Sequence, residues 1–193
     1  MIKFLDLQKI NAQYQVEIKE ALNQVLDSGW YIMGTGLQQF ETEFAAYCGA
    51  KYCIGVANGL DALILILRGY LELGKLQKGD EVIVPANTYI ATILAISENG
   101  LVPVFVEPDP KTFNLDVHKI EAAITERTKV IMPVHLYGQT VDMTKVNAIA
   151  KQYGLLVIED SAQSPGASWG EKRCGNLGIA SGLSFYPGKI LEA

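Results

Sequence analysis

Residues 81–106 read EVIVPANTYIATILAISENGLVPVFV, and the architecture follows from this stretch. Glu81–Val84 and Val102–Val106 are short, Val-rich runs without polar alternation, as expected for strands covered on both faces. Tyr89–Asn99 between them reads as a helix, and Gly100 sits where that helix should stop. The same rhythm continues on either side. Further strands are expected at Tyr52–Val56, Val130–Val134, Leu155–Ile158 and Leu183–Tyr186. Helices are expected at Leu60–Leu73, Val117–Thr125 and Met143–Tyr153, with Asn58 and Asp116 as N-caps and Gly154 as a stop. Strand–helix alternation predicts an α/β fold, a mostly parallel sheet with helices on both faces. Ahead of it, Gln8–Asp27 carries Ile10, Tyr14, Ile18, Leu22 and Val25 at helical spacing, and Leu37–Cys48 is a second amphipathic segment. Residues 1–50 thus form an N-terminal helical segment, and 51–193 form the sheet domain. The last expected strand is followed by no covering helix, which predicts an open sheet edge.

The 193 residues suit one domain, or one plus a fragment. With 49% hydrophobic and 19% charged residues, disordered, collagenous and low-complexity classes are excluded. Sixteen Lys and Arg against 21 Asp and Glu give a net charge of -5, without the basic excess a nucleic-acid partner would need. Cys48, Cys53 and Cys174 form no CxxC pair, and only His118 and His135 accompany them, so neither a disulfide framework nor a metal site is expected. Reduced thiols fit a cytoplasmic protein. The opening residues lack a signal-peptide core, and Ala62–Leu67 is too short to span a membrane.

Ligands of open α/β sheets bind beyond the carboxyl ends of the strands. There the sequence places Asn58-Gly59-Leu60-Asp61, Asn87-Thr88-Tyr89, His135-Leu136-Tyr137-Gly138, Glu159-Asp160-Ser161-Ala162-Gln163 and Pro187-Gly188-Lys189. Carboxylate, amide, aromatic ring, imidazole and amine converge on one edge, an inventory suited to an enzyme. Each group also has a plainer interpretation. Asn58-Gly59, taken alone, reads first as an ordinary capped helix start and only then as a phosphate seat. Glu159-Asp160 is equally a cap for the segment after it. His135 is as well explained by a hydrogen-bonded structural role as by general-base chemistry. A lysine alone says little, although Lys189 follows a buried strand.

Taken in order, the NG-x-DAL turn, VIVPANTYIAT, PVHLYGQ, EDSAQSPGA and SFYPGK resemble the DegT/DnrJ/EryC1/StrS family of sugar aminotransferases. These are pyridoxal 5'-phosphate enzymes of the aspartate aminotransferase fold. The similarity runs from Phe4-Leu5-Asp6-Leu7 to Lys189, and makes 51–193 an incomplete cofactor-binding large domain. Asp27–Ile32 and Val56–Leu63 look closest to transaminases acting on dTDP-3-keto-6-deoxyhexoses. The resemblance implies that Lys189 binds the cofactor aldehyde covalently, which an amine does only when unprotonated. It implies that Asp160 partners the pyridine nitrogen, Tyr89 stacks on the ring and Gln163 bonds the ring's 3-hydroxyl oxygen. Ser184 and the Gly59 and Leu60 N–H groups would hold the phosphate; Leu60 replaces the usual hydroxyl residue and offers only its backbone. The implied reaction moves an amino group from L-glutamate to a nucleotide-linked keto-sugar, in a homodimer when the chain is full-length.

After Lys189 the family continues with Asn-Leu-Gly, whereas this sequence has Ile190-Leu191-Glu192-Ala193. The rest of the large domain and the small C-terminal domain are therefore expected to be absent, with weak cofactor binding and little turnover. Two alternatives stand beside the transaminase: a catalytically silent chain that binds the cofactor weakly or serves only as a dimerisation partner, and an unrelated α/β nucleotide-binding module. The lack of a phosphate-binding glycine motif weighs against the last.

Overall fold

The computed structural model describes residues 6–190; Met1–Leu5 and Leu191–Ala193, including the Phe4-Leu5 start of the resemblance, lie outside them. The main sheet has five parallel strands in the order β2-β1-β3-β4-β7. They are β1 (Glu81–Pro85), β2 (Val102–Val106), β3 (Thr128–Ile131), β4 (Leu156–Asp160) and β7 (Ala180–Gly182). Register is set by the pairs Glu81–Val102, Val82–Val130, Val130–Leu156 and Ile158–Ala180. A small antiparallel hairpin, β5 (Ser168–Trp169) and β6 (Lys172–Arg173), stands apart. The helices are α1 (Leu7–Ala12), α2 (Gln15–Ser28), α3 (Thr35–Cys48), α4 (Gly59–Glu72), α5 (Ile90–Glu98), α6 (Met143–Tyr153) and α7 (Pro187–Ile190).

Strand side chains alternate between two cores. Val82, Val84, Val130, Met132 and Ile158 pack with Leu63 and Leu67 of α4 and with Ala95 and Ile96 of α5. Ile83, Ile131 and Val157 face the other way, onto Met143, Val146 and Ala150 of α6. Both faces of the central strands are thus apolar, which is why their sequences do not alternate. The alternation also settles where the β4 carboxylates go. Glu159 points to the α6 layer with Val157, and Asp160 to the α4–α5 layer with Ile158.

Several elements depart from expectation. The first helix is two, because Tyr14 (φ -117°, ψ 19°) leaves helical geometry. No residue of α2 is buried, so tertiary packing does not hold the longer helix together. Val117–Thr125 forms two 3-10 turns, Val117–Lys119 and Glu121–Ala123, rather than an α-helix. The segment is short and rich in β-branched residues, and the Asp116 carboxylate accepts the His118 N–H to tighten its first turn. The third strand begins earlier than expected, and Val134 keeps only an isolated bridge to Asp160.

Two differences concern the sheet edge. Tyr52–Val56 is not a strand: no neighbour among the described residues provides a ladder, and Glu41 Oε1 takes the Gly55 N–H at 2.7 Å. A cleft of about 860 Å³ lies against this segment, lined by Ile54, Leu65, Ile66, Ile179 and Ser181 among others. The last strand is Ala180–Gly182 rather than Leu183–Tyr186. Bulky apolar residues drew attention to the later stretch, but the close approach here demands small ones. A Cβ on Gly182 would stand 2.6 Å from Leu63 Cδ2, and one on Gly178 would stand 2.6 Å from the Val157 carbonyl oxygen.

Candidate active site

Asp160 ends β4 with its side chain only 6% exposed. Its Oδ2 accepts the Thr92 hydroxyl at 2.7 Å, and Oδ1 accepts the Ala162 N–H at 3.1 Å. Thr88 and Thr92 hydroxyls lie 2.7 Å apart. No helix follows Asp160, only a turn, so the cap interpretation of the Glu159-Asp160 pair fails. Thr88 belongs to the Asn87-Thr88-Tyr89 strand end named from the sequence, whereas Thr92 is not singled out there. The available signal was Thr92's position three residues after Tyr89, one helical turn on.

Glu159 performs a different task on the opposite face. Its carboxylate accepts N–H groups from Leu177 (2.9 Å), Gly178 (2.8 Å) and Gly175 (3.1 Å), and it lies 3.2 Å from His135 Nε2. Burial raises the Glu159 pKa, but hydrogen bonds from His135, Gly178 and Gly175 outweigh it and hold the carboxyl below its ordinary 4.5. For His135, burial disfavours the charged form, while hydrogen bonds with Cys174 and Glu159 favour it, and the geometry at Nδ1 decides between them. Nδ1 already accepts the Val141 N–H at 3.2 Å, so a second ring proton would break that bond. We therefore assign a neutral ring with its proton on Nε2, facing Glu159. His135, Glu159 and Cys174 have ligand-type atoms within 4.8 Å of one another, but the hydrogen bonds already engage the imidazole and the carboxylate. His135 here is structural: it braces Glu159, whose carboxylate anchors the turn that leads into β7.

Tyr89, the N-cap residue of α5, is two-thirds exposed at the sheet edge. Lys189 in α7 places Nζ 5.9 Å from the Tyr89 ring centroid. Gln163 is held by its oxygen, since Oε1 accepts the Tyr137 N–H at 2.9 Å, which leaves the amide NH2 to donate elsewhere. Tyr137 adopts φ 54°, an unusual backbone for a tyrosine, and is 82% exposed at the same rim.

The fourth part of the site is the start of α4. Asn58 Oδ1 accepts the Asp61 N–H at 2.9 Å, and the Asn58 carbonyl accepts that of Ala62. The Gly59 and Leu60 N–H groups find no acceptor among the described residues, so two donors and the positive end of a 14-residue helix face outward. Ser184 packs against this terminus. A Cβ on Gly59 would lie 3.0 Å from Ser184 Cβ and 3.2 Å from the Leu183 carbonyl oxygen, so only glycine lets the two approach. The cleft described above is lined by Asn58 and Ser184 but by none of Tyr89, Asp160, Gln163 or Lys189.

These groups suit a phosphorylated pyridine aldehyde. There are outward N–H donors and a hydroxyl for a dianion, a flat aromatic face, a buried carboxylate for a ring N–H and an amine beside the ring. Fold and donor set together define an α/β enzyme domain of the pyridoxal-phosphate type. A model of the DegT/DnrJ/EryC1/StrS aminotransferase family matches residues 12–193, and the chain belongs to that family. The family is pyridoxal-phosphate-dependent. The chain is 64% identical over 185 residues to dTDP-3-amino-3,6-dideoxy-alpha-D-galactopyranose transaminase of Aneurinibacillus thermoaerophilus, covering 96% of this chain and 50% of that one. It superimposes on S. venezuelae DesV with TM-score 0.90 at 46% identity, covering 97% of this chain and 50% of the other. NtdA of Bacillus subtilis, solved with its cofactor PMP, gives TM-score 0.79 at 42% identity over 86% of this chain and 38% of that one. The chain thus spans about half the length of the curated relatives it matches. No described helix is long and apolar enough to cross a membrane.

Proposed function

We propose that this chain carries the cofactor-binding core of a sugar aminotransferase that moves an amino group from L-glutamate to a nucleotide-linked keto-sugar, a dTDP-3-keto-6-deoxyhexose. The approach of Lys189 to the Tyr89 ring, with Asp160 braced behind the same turn, carries this proposal. The 64% identical relative, named as a dTDP-amino-sugar transaminase, supports the substrate class.

Bound pyridoxal phosphate supplies an electron sink for the charge left on the donor's α-carbon. Gly59 and Leu60 N–H groups and the Ser184 hydroxyl would seat its phosphate, so the ring is fixed at one end. Tyr89 would cover one ring face and exclude water from it. Asp160 would keep the ring nitrogen protonated, with Thr92 and Ala162 holding both carboxylate oxygens in place. The Gln163 amide NH2, oriented by Tyr137, would donate to the 3-hydroxyl oxygen. Lys189 would hold the aldehyde and, once displaced by the donor, carry a proton between the donor α-carbon and C4′.

The test is direct. Purified protein is incubated with pyridoxal phosphate, reduced with borohydride and digested, and the modified residue is found by mass spectrometry. An adduct on Lys189, followed by glutamate-dependent conversion to the pyridoxamine form, is the expected outcome. A folded chain with no adduct at Lys189 overturns the proposal.

The open edge beside Tyr52–Val56 favours a second reading, in which the chain binds cofactor weakly and does not turn over. Adduct formation without glutamate-dependent conversion distinguishes it. Pairing of two copies is also part of the proposal. The α2 face bearing Ile18, Leu22 and Val25, next to the exposed Trp30–Met33 stretch, is the surface we assign to it.

A further inference from the structure

Tyr89, at the start of α5, and Asp160, at the end of β4, lie 71 positions apart in the sequence, yet one residue joins them. Thr92 donates its backbone N–H to the Tyr89 carbonyl at 3.1 Å and its hydroxyl to Asp160 Oδ2 at 2.7 Å. It is fully buried, so neither bond competes with water. The direction of the second bond follows from chemistry. A carboxylate only accepts, so the single Thr92 hydroxyl proton points at Oδ2. Thr92 Oγ1 must then be the acceptor in its 2.7 Å contact with Thr88, and the Thr88 hydroxyl is the donor. A one-way chain of hydroxyls therefore runs from the Asn87-Thr88-Tyr89 turn to the end of β4. That turn is itself tied down, because Asn87 Nδ2 donates to the Phe113 carbonyl at 2.8 Å. Asp160 has no ion pair of its own among the described residues, so these neutral donors and the Ala162 N–H fix its orientation.

We propose that Thr92 is a positioning residue that holds Tyr89 and Asp160 in one rigid frame, setting the ring-stacking face and the ring-nitrogen partner at a fixed separation. This rests on the pyridoxal-phosphate site proposed above. Thr92 touches no reacting atom. Its effect is that the two walls contacting a planar ring cannot move independently, so a bound ring gains both contacts without further ordering of either wall.

The experiment compares Thr92→Val, which keeps the β-branched shape and loses the hydroxyl, with Thr92→Ser, which keeps the hydroxyl. Pyridoxal phosphate is titrated onto each, and its dissociation constant and bound absorbance spectrum are followed against pH. Loss of a hydrogen bond to a charged group is expected to weaken binding by Thr92→Val about tenfold and to shift the spectrum. Thr92→Ser is expected to stay within about twofold with the wild-type spectrum. A role in stability alone would lower Tm but leave both unchanged, and that result overturns the proposal. Where Thr92→Val does not fold, Thr92→Ala set against Thr92→Ser isolates the same hydroxyl. Hydrogen exchange on the cofactor-free proteins gives a readout independent of binding. Loss of the hydroxyl should raise exchange in the 86–92 turn and the 160–163 turn together; a rise in only one, or in neither, also overturns it. Wild-type protein without cofactor on Lys189 counts against the proposed function, whereas equal wild-type and Thr92→Val binding counts only against Thr92.

Discussion

Glu159 and His135 meet in the α6-side core, Oε2 to Nε2 at 3.2 Å, with both side chains fully buried. The carboxylate also gathers three consecutive-turn N–H groups, so protonating it costs native hydrogen bonds. Its folded pKa lies below the ordinary 4.5, and its contribution to stability is therefore present above that value and lost as the pH falls through the folded pKa. Melting temperature measured below about pH 4.5 should fall more steeply in wild type than in Glu159→Gln, which has no proton to gain there. At neutral pH, Glu159→Ala leaves buried donors without an acceptor and should cost about 3–5 kcal/mol in denaturant unfolding.

Small residues at the edge strand make the second case. Gly182→Ala forces a methyl against the Leu63 side chain, which can shift, and should cost about 1–3 kcal/mol. Gly178→Ala meets the Val157 carbonyl oxygen, which cannot shift without disturbing β4, and should cost more. Thermal melts of the two variants side by side check the order.

At the phosphate end, Gly59→Ala presses on Ser184 and the Leu183 carbonyl. Affinity for pyridoxal phosphate should fall at least about tenfold, since a displaced hydroxyl and helix terminus both lose their aim at a dianion. Fluorescence titration provides the measurement, with free phosphate as competitor expected to lose affinity in parallel.

Ring stacking can be separated from the phenol. Tyr89→Phe should bind cofactor like wild type, whereas Tyr89→Ala should weaken binding severalfold, as expected for the loss of an aromatic contact. Lys189→Ala should abolish the borohydride adduct in either background.

The α2 face offers a last test. Leu22→Glu and Val25→Glu place charge on residues that are 58% and 42% exposed, so monomer folding should be little affected. Light scattering should show these variants shifted toward monomer if this face joins two copies; unchanged mass would remove α2 from the interface.

Much of the fold is legible in the sequence. Apolar runs locate β1 and β4, because strands buried on both faces must be apolar throughout, and the same composition locates β2 although that edge strand is partly exposed. The ordered motifs around Asn58, Tyr89, Asp160 and Lys189 mark the strand ends at which the proposed site lies. What escaped was set by partners far away in sequence. Tyr52–Val56 has strand composition but no pairing neighbour among the described residues, and composition cannot supply one. Ala180–Gly182 is a strand made of small residues, chosen by the closeness of Leu63, and so it reads as loop. Thr92 looks like any helix residue until Asp160, 68 positions later, folds back against it.

Among the described residues β7 pairs only with β4, which has a practical consequence for anyone handling residues 1–193 by themselves. A strand hydrogen-bonded on one side, beside an apolar trough and the exposed Tyr52 and Ile54, is a template for any other extended chain in solution. Concentrated samples of this 193-residue stretch alone should therefore thicken into β-rich assemblies at a rate that climbs with concentration. A lysine introduced at Ile54 would act as a gatekeeper, extending shelf life without touching the cofactor site.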